Sequence, residues 1–143
     1  MNELVELLQE ARLREIEQAL FYRFLAADAE LAGDAGTAER LNELLADEQH
    51  HVSRLTARIL ELGGKPGDPG TQETTSPALD AWEAEARTRE ESEVRWYEEA
   101  LRRIEDPETT GVIRGILDSE RHHRNELAGK WMPAGPRGPE EDT

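Results

Sequence analysis

The chain contains no cysteine among its 143 residues, and this absence excludes several kinds of site. Disulfides, iron–sulfur clusters, thiolate zinc sites and cysteine nucleophiles all require a residue that is missing. No apolar run approaches the roughly 20 residues that a membrane span needs, so we expect no membrane partner. The first residues, MNELVELLQEARLRE, have the pattern of an acidic amphipathic helix and not of a signal peptide. We therefore expect a cytoplasmic location.

Positive charge and β-branched residues are also scarce. Asp and Glu number 32 against 17 Lys and Arg, which gives a net charge of −15. An acidic protein repels nucleic acid and anionic membrane surfaces, so we expect neither as a partner. Ala, Leu, Glu and Arg dominate the composition, and apolar residues recur at intervals of three and four. This pattern is typical of an all-α protein.

Glycine and proline divide the chain into four helical segments. We predict helices over about residues 3–31, 37–62, 77–104 and 107–131, with Gly63-Gly64 ending the second and Ser76-Pro77 starting the third. Short first and third connections must join antiparallel neighbours, whereas residues 63–77 could run the length of a bundle. The prediction is an antiparallel four-helix bundle over residues 1–132, with a long crossover between helices 2 and 3. Residues 133–143, rich in Pro, Gly and acidic side chains, are expected to be a disordered tail.

Two segments, in the second and fourth helices, read almost alike. Residues 45–55 are LADEQHHVSRL and residues 117–127 are LDSERHHRNEL, each with a Glu-x-x-His. Glu48 and His51 precede Glu120 and His123 by 72 residues in both cases. Residues three apart share one face of a helix, so a carboxylate and an imidazole can bind one ion. Both pairs fall on apolar stripes, where an unpaired carboxylate is costly, and we therefore predict a metal site in the core.

The first helix of each hairpin should supply another carboxylate at the level of these pairs. Glu90 falls on the apolar stripe of the third helix. Glu17 shares a face of the first helix with Leu13 and Phe24, and its 73-residue distance from Glu90 is close to 72. Glu15 is the rival, because this helix is apolar on more than one side. The preferred set of four carboxylates and two imidazoles would balance two divalent cations and suits iron or manganese better than zinc: Glu17, Glu48, His51, Glu90, Glu120 and His123.

The residues beside these candidates offer further contacts. Asp47 could hydrogen-bond a ligand histidine of the facing helix, but the equivalent position in the second copy is Ser119. His50 and His122 point about 100° away from their ligand neighbours, so we expect them on the solvent side or behind the ligands.

This constellation resembles the ferritin-like di-iron superfamily, and within it the rubrerythrin family, over about residues 3–131. Rubrerythrins typically carry another carboxylate one turn after the third-helix ligand, and Glu93 stands there relative to Glu90. The resemblance implies a ferritin-like bundle with two iron ions, or manganese, and Glu93 as a ligand that changes its binding with oxidation state. Tyr97 could donate a hydrogen bond or an electron to the metals, although core packing is the more common role of an aromatic residue at helical spacing. The rubredoxin-like four-cysteine site usual in the family is missing, so a separate electron donor is implied.

Three functions are compatible with the pattern. The resemblance implies an oxidoreductase that reduces hydrogen peroxide, or oxidises ferrous iron with peroxide or oxygen. The alternatives are a non-catalytic protein that buffers or delivers iron and a plain structural bundle. The first helix also has more apolar residues than one core stripe requires, which predicts a homodimer through the first two helices.

Overall fold

The computed structural model describes residues 2–130 of the chain. Its elements are α1 (Asn2–Leu31), α2 (Ala35–Glu61), α3 (Trp82–Leu101) and α4 (Pro107–Asn125). A 3-10 turn, Leu79–Ala81, leads into α3, and a π-helical turn, Glu126–Lys130, follows α4. Because these residues contain no strand, the all-α prediction is confirmed. The predicted tail, residues 133–143, lies outside the described residues.

The first short connection lies within two residues of its predicted position and α4 begins at Pro107 as predicted, but α3 ends at Leu101, three residues before the predicted end at 104. The side chain of Asp34 accepts a hydrogen bond from the Thr37 backbone N–H at the start of α2, and Asp106 accepts one from Thr109 at the start of α4. Such caps satisfy backbone donors that the first helical turn leaves free. At the end of α2, Gly63 has a φ of 83°, a conformation that favours glycine.

The predicted start of α3 at Ser76-Pro77 is wrong. The helix begins at Trp82 and has no side-chain cap. It follows a 3-10 turn that is preceded by Ala78 in an extended conformation. α2 and α3 run in the same direction, so the connection must return along the whole bundle. Its first part is held against α1, where Gln9 donates to the Lys65 carbonyl at 2.6 Å and Arg12 donates to the Gly67 carbonyl at 2.8 Å. The long crossover predicted between helices 2 and 3 is confirmed.

Two apolar clusters fill the ends of the bundle and leave a charged layer between them. One cluster lies near the α1–α2 turn and includes Phe21, Leu25, Leu41, Leu44, Trp82 and Leu127. The other lies near the α3–α4 turn and includes Leu8, Leu55, Ile59, Val94, Ile113 and Ile116. The charged layer consists of Glu15, Glu48, His51, Glu90, Glu120 and His123, each at most 3% exposed.

No helix in the part of the chain that the structure describes is long and apolar enough to span a bilayer.

Candidate metal centre

His51 lies among three carboxylates from three different helices. Its Nδ1 atom is 3.2 Å from Glu15 Oε1 on α1, 3.2 Å from Glu48 Oε1 on α2 and 3.4 Å from Glu120 Oε2 on α4. Because Glu48 and His51 are three residues apart, one turn of α2 presents both to the bundle axis. A single small cation could therefore be bound by all four side chains.

His123 has a matching set of neighbours. Its Nδ1 atom lies 3.3 Å from Glu120 Oε1, 3.5 Å from Glu48 Oε2 and 3.6 Å from Glu90 Oε2. Glu48 and Glu120 thus direct one oxygen towards each histidine. The two groups share these two carboxylates.

The donor set fits two metal ions. In each group, one potential ligand atom from every residue lies within 4.8 Å of the others: Glu15, Glu48, His51 and Glu120 in one, and Glu48, Glu90, Glu120 and His123 in the other. Three buried carboxylate oxygens, Glu48 Oε2, Glu90 Oε1 and Glu120 Oε2, have no hydrogen-bond partner. A buried acceptor without a partner costs about 1–3 kcal/mol, and cations bound in the two groups would satisfy these oxygens. Four carboxylates with two imidazoles suit iron or manganese.

The structure does not bring Glu17 to this centre. Glu17 is exposed on α1, whereas Glu15, the rival, is completely buried beside His51. The stripe that contains Glu17 faces outward, as Leu13 is 41% and Phe24 is 43% exposed. We therefore replace Glu17 with Glu15 in the candidate site. The other predicted residues of the six, on α2, α3 and α4, do come together.

A difference in hairpin length explains why the 72-residue offset between the hairpins favoured Glu17 over Glu15. Glu15 precedes Glu48 by 33 residues, but Glu90 precedes Glu120 by only 30. The 72-residue spacing of α2 and α4 therefore becomes 75 residues between α1 and α3. A second repeat carries this spacing: residues 14–22 are REIEQALFY and residues 89–97 are REESEVRWY. Aligning these segments would have selected Glu15.

The second repeat also makes Tyr22, which was not among the predicted site residues, equivalent to Tyr97. Tyr97 donates its hydroxyl hydrogen to Glu15 Oε2 at 2.6 Å, and Tyr22 donates to Glu90 Oε2 at 2.7 Å. Burial raises the pKa of both phenols well above the usual range, and the nearby carboxylates add to the shift. Each tyrosine is therefore a neutral donor that orients one glutamate of the centre.

The repeat is broken at Gln18 and Glu93, which occupy equivalent positions. Gln18 Nε2 donates to Glu90 Oε2 at 3.2 Å. Glu93 is paired with Arg14, whose Nε and Nη2 atoms lie 3.1 and 3.3 Å from its carboxylate oxygens. Burial raises the pKa of Glu93 to about 7, although Arg14 opposes the shift. Glu93 is therefore a fifth buried carboxylate beside the centre, but it belongs to neither ligand group.

The carboxylates of the layer differ in protonation. Burial raises the pKa of Glu48 and of Glu120, and repulsion by the neighbouring glutamates raises it further. Burial also opposes ionisation of Glu15, but hydrogen bonding with His51 and its other neighbours lowers the pKa to about 2. Hydrogen bonding to His123 likewise outweighs burial and lowers the pKa of Glu90.

The two imidazoles are held in the charged form. Burial opposes protonation of His51, yet hydrogen bonds to Glu120 and Glu15 raise its pKa to about 9. The pKa of His123 is also raised against the effect of burial, with Asp47 and Glu120 the main causes. The raised pKa values of Glu48 and Glu120 favour their neutral forms, so that without metal two imidazolium ions would balance the two remaining carboxylates. Two divalent cations would balance the same layer by replacing four protons.

The support behind the two histidines is asymmetric, as the sequence predicted. Asp47 Oδ2 lies 2.8 Å from His123 Nε2, and this contact leaves Nδ1 directed at the carboxylates. Ser119, the equivalent residue, makes no hydrogen bond to His51 in the described part of the chain. A carboxylate behind a histidine fixes the ring and increases its basicity as a ligand. His50 and His122 are exposed.

The comparison with protein families agrees with this geometry. The family model for rubrerythrin matches residues 6–130. The chain belongs to the rubrerythrin family. No curated protein matches this chain.

Solved structures show the same fold at low sequence identity. A Mycobacterium tuberculosis bacterioferritin aligns with a TM-score of 0.79 and 19% identity, covering 98% of this chain and 91% of the other. A dodecameric thioferritin, the bacterioferritin-related protein of Bacteroides fragilis, aligns with a TM-score of 0.59 and 21% identity over 90% and 91% of the two chains. The ferritin-like fold is therefore confirmed.

We expect Glu15→Gln and Glu17→Gln to differ in metal binding. Both remove one negative charge from α1, but only Glu15 lies within a ligand group. Glu15→Gln should lower the affinity for the second equivalent of Mn²⁺, or of Fe²⁺ under anaerobic conditions, by at least about tenfold. Substitution of residues that only support a ligand already lowers metal affinity by that factor. Isothermal titration calorimetry measures this, and circular dichroism checks that both variants fold. Equal effects of the two substitutions would contradict the assignment.

We expect Mn²⁺ affinity to rise with pH at least as far as about 9, the raised pKa of His51, and the raised pKa of His123 extends the rise. Below that value a proton must leave the imidazole before Nδ1 can bind a cation, so each step down in pH weakens binding. Calorimetry in buffers of different ionisation enthalpy reports the number of protons released. His50→Gln should keep this dependence, whereas His51→Gln should lose part of it. An affinity independent of pH would show that the imidazoles are not ligands.

Proposed function

We propose that this protein is a di-iron oxidoreductase of the rubrerythrin type, which reduces hydrogen peroxide or oxidises ferrous iron at the bundle centre. The proposal rests on the two buried ligand groups that share Glu48 and Glu120. Two adjacent ferrous ions, when bound, supply the two electrons that peroxide needs and a Lewis-acidic site for its oxygens. Manganese is the other metal that suits these donors.

The side chains around the ligands fit proton-coupled chemistry. Glu93 has a pKa of about 7, so it can either hold or release a proton near neutral pH. Its ion pair with Arg14 is partly exposed, with 27% of the arginine side chain accessible. We propose Glu93 as a ligand that exchanges between Arg14 and the metals, and Tyr97 as a catalytic hydrogen-bond donor through its contact with Glu15.

Rapid mixing tests this function. The metal-free protein is loaded anaerobically with Fe²⁺, and the ferrous form is mixed with hydrogen peroxide or with oxygen in a stopped-flow instrument. We expect binding of two ions per chain, as the two groups imply, a near-ultraviolet absorbance change and consumption of peroxide. Glu120→Gln, which alters a carboxylate common to both groups, should reduce all three, whereas the exposed Glu17→Gln should not.

The same experiment distinguishes the alternative functions. Iron binding without an absorbance change on mixing would favour a non-catalytic protein that buffers or delivers iron. Substoichiometric metal after iron supplementation would contradict both metal functions and leave a structural bundle. An oxidant and a separate electron donor are the partners of the proposed reaction. A cytoplasmic location belongs to the proposal and can be tested by cell fractionation.

We also propose that two copies associate through the outer face of α1 and α2. This face exposes Leu13 and Phe24, and a cavity of about 450 Å³ between α1, α2 and the crossover is lined in part by Ile16, Leu20, Val52 and Pro69. A large exposed apolar surface commonly marks an interface. Light scattering at micromolar concentration should give the mass of a dimer, and Phe24→Glu should lower it, unlike Thr88→Glu on α3. A monomeric mass for the unmodified protein would contradict the proposal.

A further inference from the structure

Two aromatic rings connect the charged layer with the surface of α3. Tyr97 is completely buried, and its hydroxyl group donates to Glu15 Oε2 at 2.6 Å. The Trp96 ring packs against it, with 5.0 Å between ring centroids and an interplanar angle of 88°. Trp96 is half-buried, and its Nε1 donates to Oε2 of the exposed Glu10 at 3.3 Å. A continuous set of contacts therefore runs from Glu15 to solvent.

The equivalent position in the other half of the bundle lacks this connection. Tyr22 contacts Glu90 as Tyr97 contacts Glu15, but its neighbour is Phe21, at a centroid distance of 5.3 Å. Phe21 is completely buried, and the Arg89 guanidinium lies 4.1 Å from its ring centroid. A phenyl ring has no N–H or O–H proton to release on oxidation. Within the described residues, Tyr97 is thus the one of the two related tyrosines whose ring contacts an oxidisable aromatic side chain.

We propose that Tyr97 and Trp96 form a relay that carries single electrons from the surface to the centre. This inference rests on the proposed redox function and adds the route by which electrons enter. Rings in contact exchange electrons far faster than separated ones, because tunnelling decreases exponentially with distance. Phe21 in the other half makes α3 the entry side.

The relay matters when the centre holds one ferrous ion and meets hydrogen peroxide. Reduction of peroxide to two water molecules consumes two electrons and two solvent protons, and one ferrous ion supplies only one of those electrons. Tyr97 supplies the other electron, and its phenolic proton moves to Glu15 along the existing hydrogen bond. The product is a neutral tyrosyl radical.

Trp96 then restores Tyr97. One electron passes from the indole to the tyrosyl radical, the phenol oxygen regains its proton from Glu15, and the indole N–H proton moves to Glu10. The Arg14 guanidinium, 5.1 Å from the centre of the Trp96 ring, disfavours a positively charged indole and so favours this proton loss. A one-electron donor in solution, such as ascorbate, reduces the neutral tryptophanyl radical, and the indole nitrogen regains its proton from Glu10. Both aromatic residues are then restored, while the iron is left ferric.

Freeze-quench electron paramagnetic resonance tests the relay. Protein loaded with one equivalent of Fe²⁺ is mixed with hydrogen peroxide, and ring-deuterated tryptophan or tyrosine identifies the radical. We expect a tyrosyl signal followed by a tryptophanyl signal. Trp96→Phe should abolish the tryptophanyl signal and prolong the tyrosyl signal, and Tyr97→Phe should also abolish the tryptophanyl signal. Trp82→Phe, which changes a buried tryptophan of the other apolar cluster, should preserve both signals.

Failure of the relay can be distinguished from failure of the proposed function. If iron is oxidised but Trp96→Phe leaves the radical signals unchanged, the relay is wrong. If iron is not oxidised, the proposed function is wrong. Electron transfer between Trp96 and Tyr97 is then tested by flash-quench oxidation of the metal-free protein with a photogenerated ruthenium(III) polypyridyl complex. A tyrosyl radical that decays as a tryptophanyl radical grows, and that persists in Trp96→Phe, would support electron transfer from Trp96 to Tyr97. A tyrosyl lifetime that is unchanged in Trp96→Phe would overturn it.

Discussion

The burial of four carboxylates and two imidazoles in one layer is the constraint on which the rest of this structure depends. Isolated charges are costly in a protein interior, so such a layer persists only if its charges are balanced. Here the balance is available in two forms. Imidazolium–carboxylate pairs and protonated glutamates provide it without metal, and two divalent cations would provide it by displacing protons. The apolar clusters on either side hold the four helices in place and exclude water from the layer.

The two helical hairpins form this layer by repeating one arrangement, and the departures from the repeat are informative. In the repeat, Gln18 is equivalent to Glu93, Phe21 to Trp96, and Asp47 to Ser119. The first two departures place the ionisable carboxylate and the oxidisable indole on the same segment of α3, next to Arg14. The third gives His123, on α4, a carboxylate behind its ring. An approximately symmetric scaffold thus carries an asymmetric chemical environment.

The fold was predictable because each of its main features has a local cause. Helical periodicity, Gly63 and the aspartates that cap α2 and α4 act over a few residues, so they are legible in the sequence. The start of α3 was not predictable in this way. Ser76-Pro77 has the composition of a helix start, but the crossover must reach the far end of the bundle before a helix can pack there. That requirement comes from the direction of α2 and α3, and not from the local residues.

The sequence by itself determined the chemistry of the site, since the paired Glu-x-x-His motifs name the donors and the spacing puts each pair on one helical face. It also indicated the family, through those motifs together with Glu90 and Glu93. Only the tertiary structure decided between Glu15 and Glu17. α1 is apolar on two sides, so periodicity cannot say which side faces inward, and the choice depends on how α1 packs against the other three helices. The same packing decided that Glu93 meets Arg14, and that Trp96 connects Tyr97 to solvent, because these contacts join residues far apart in the chain.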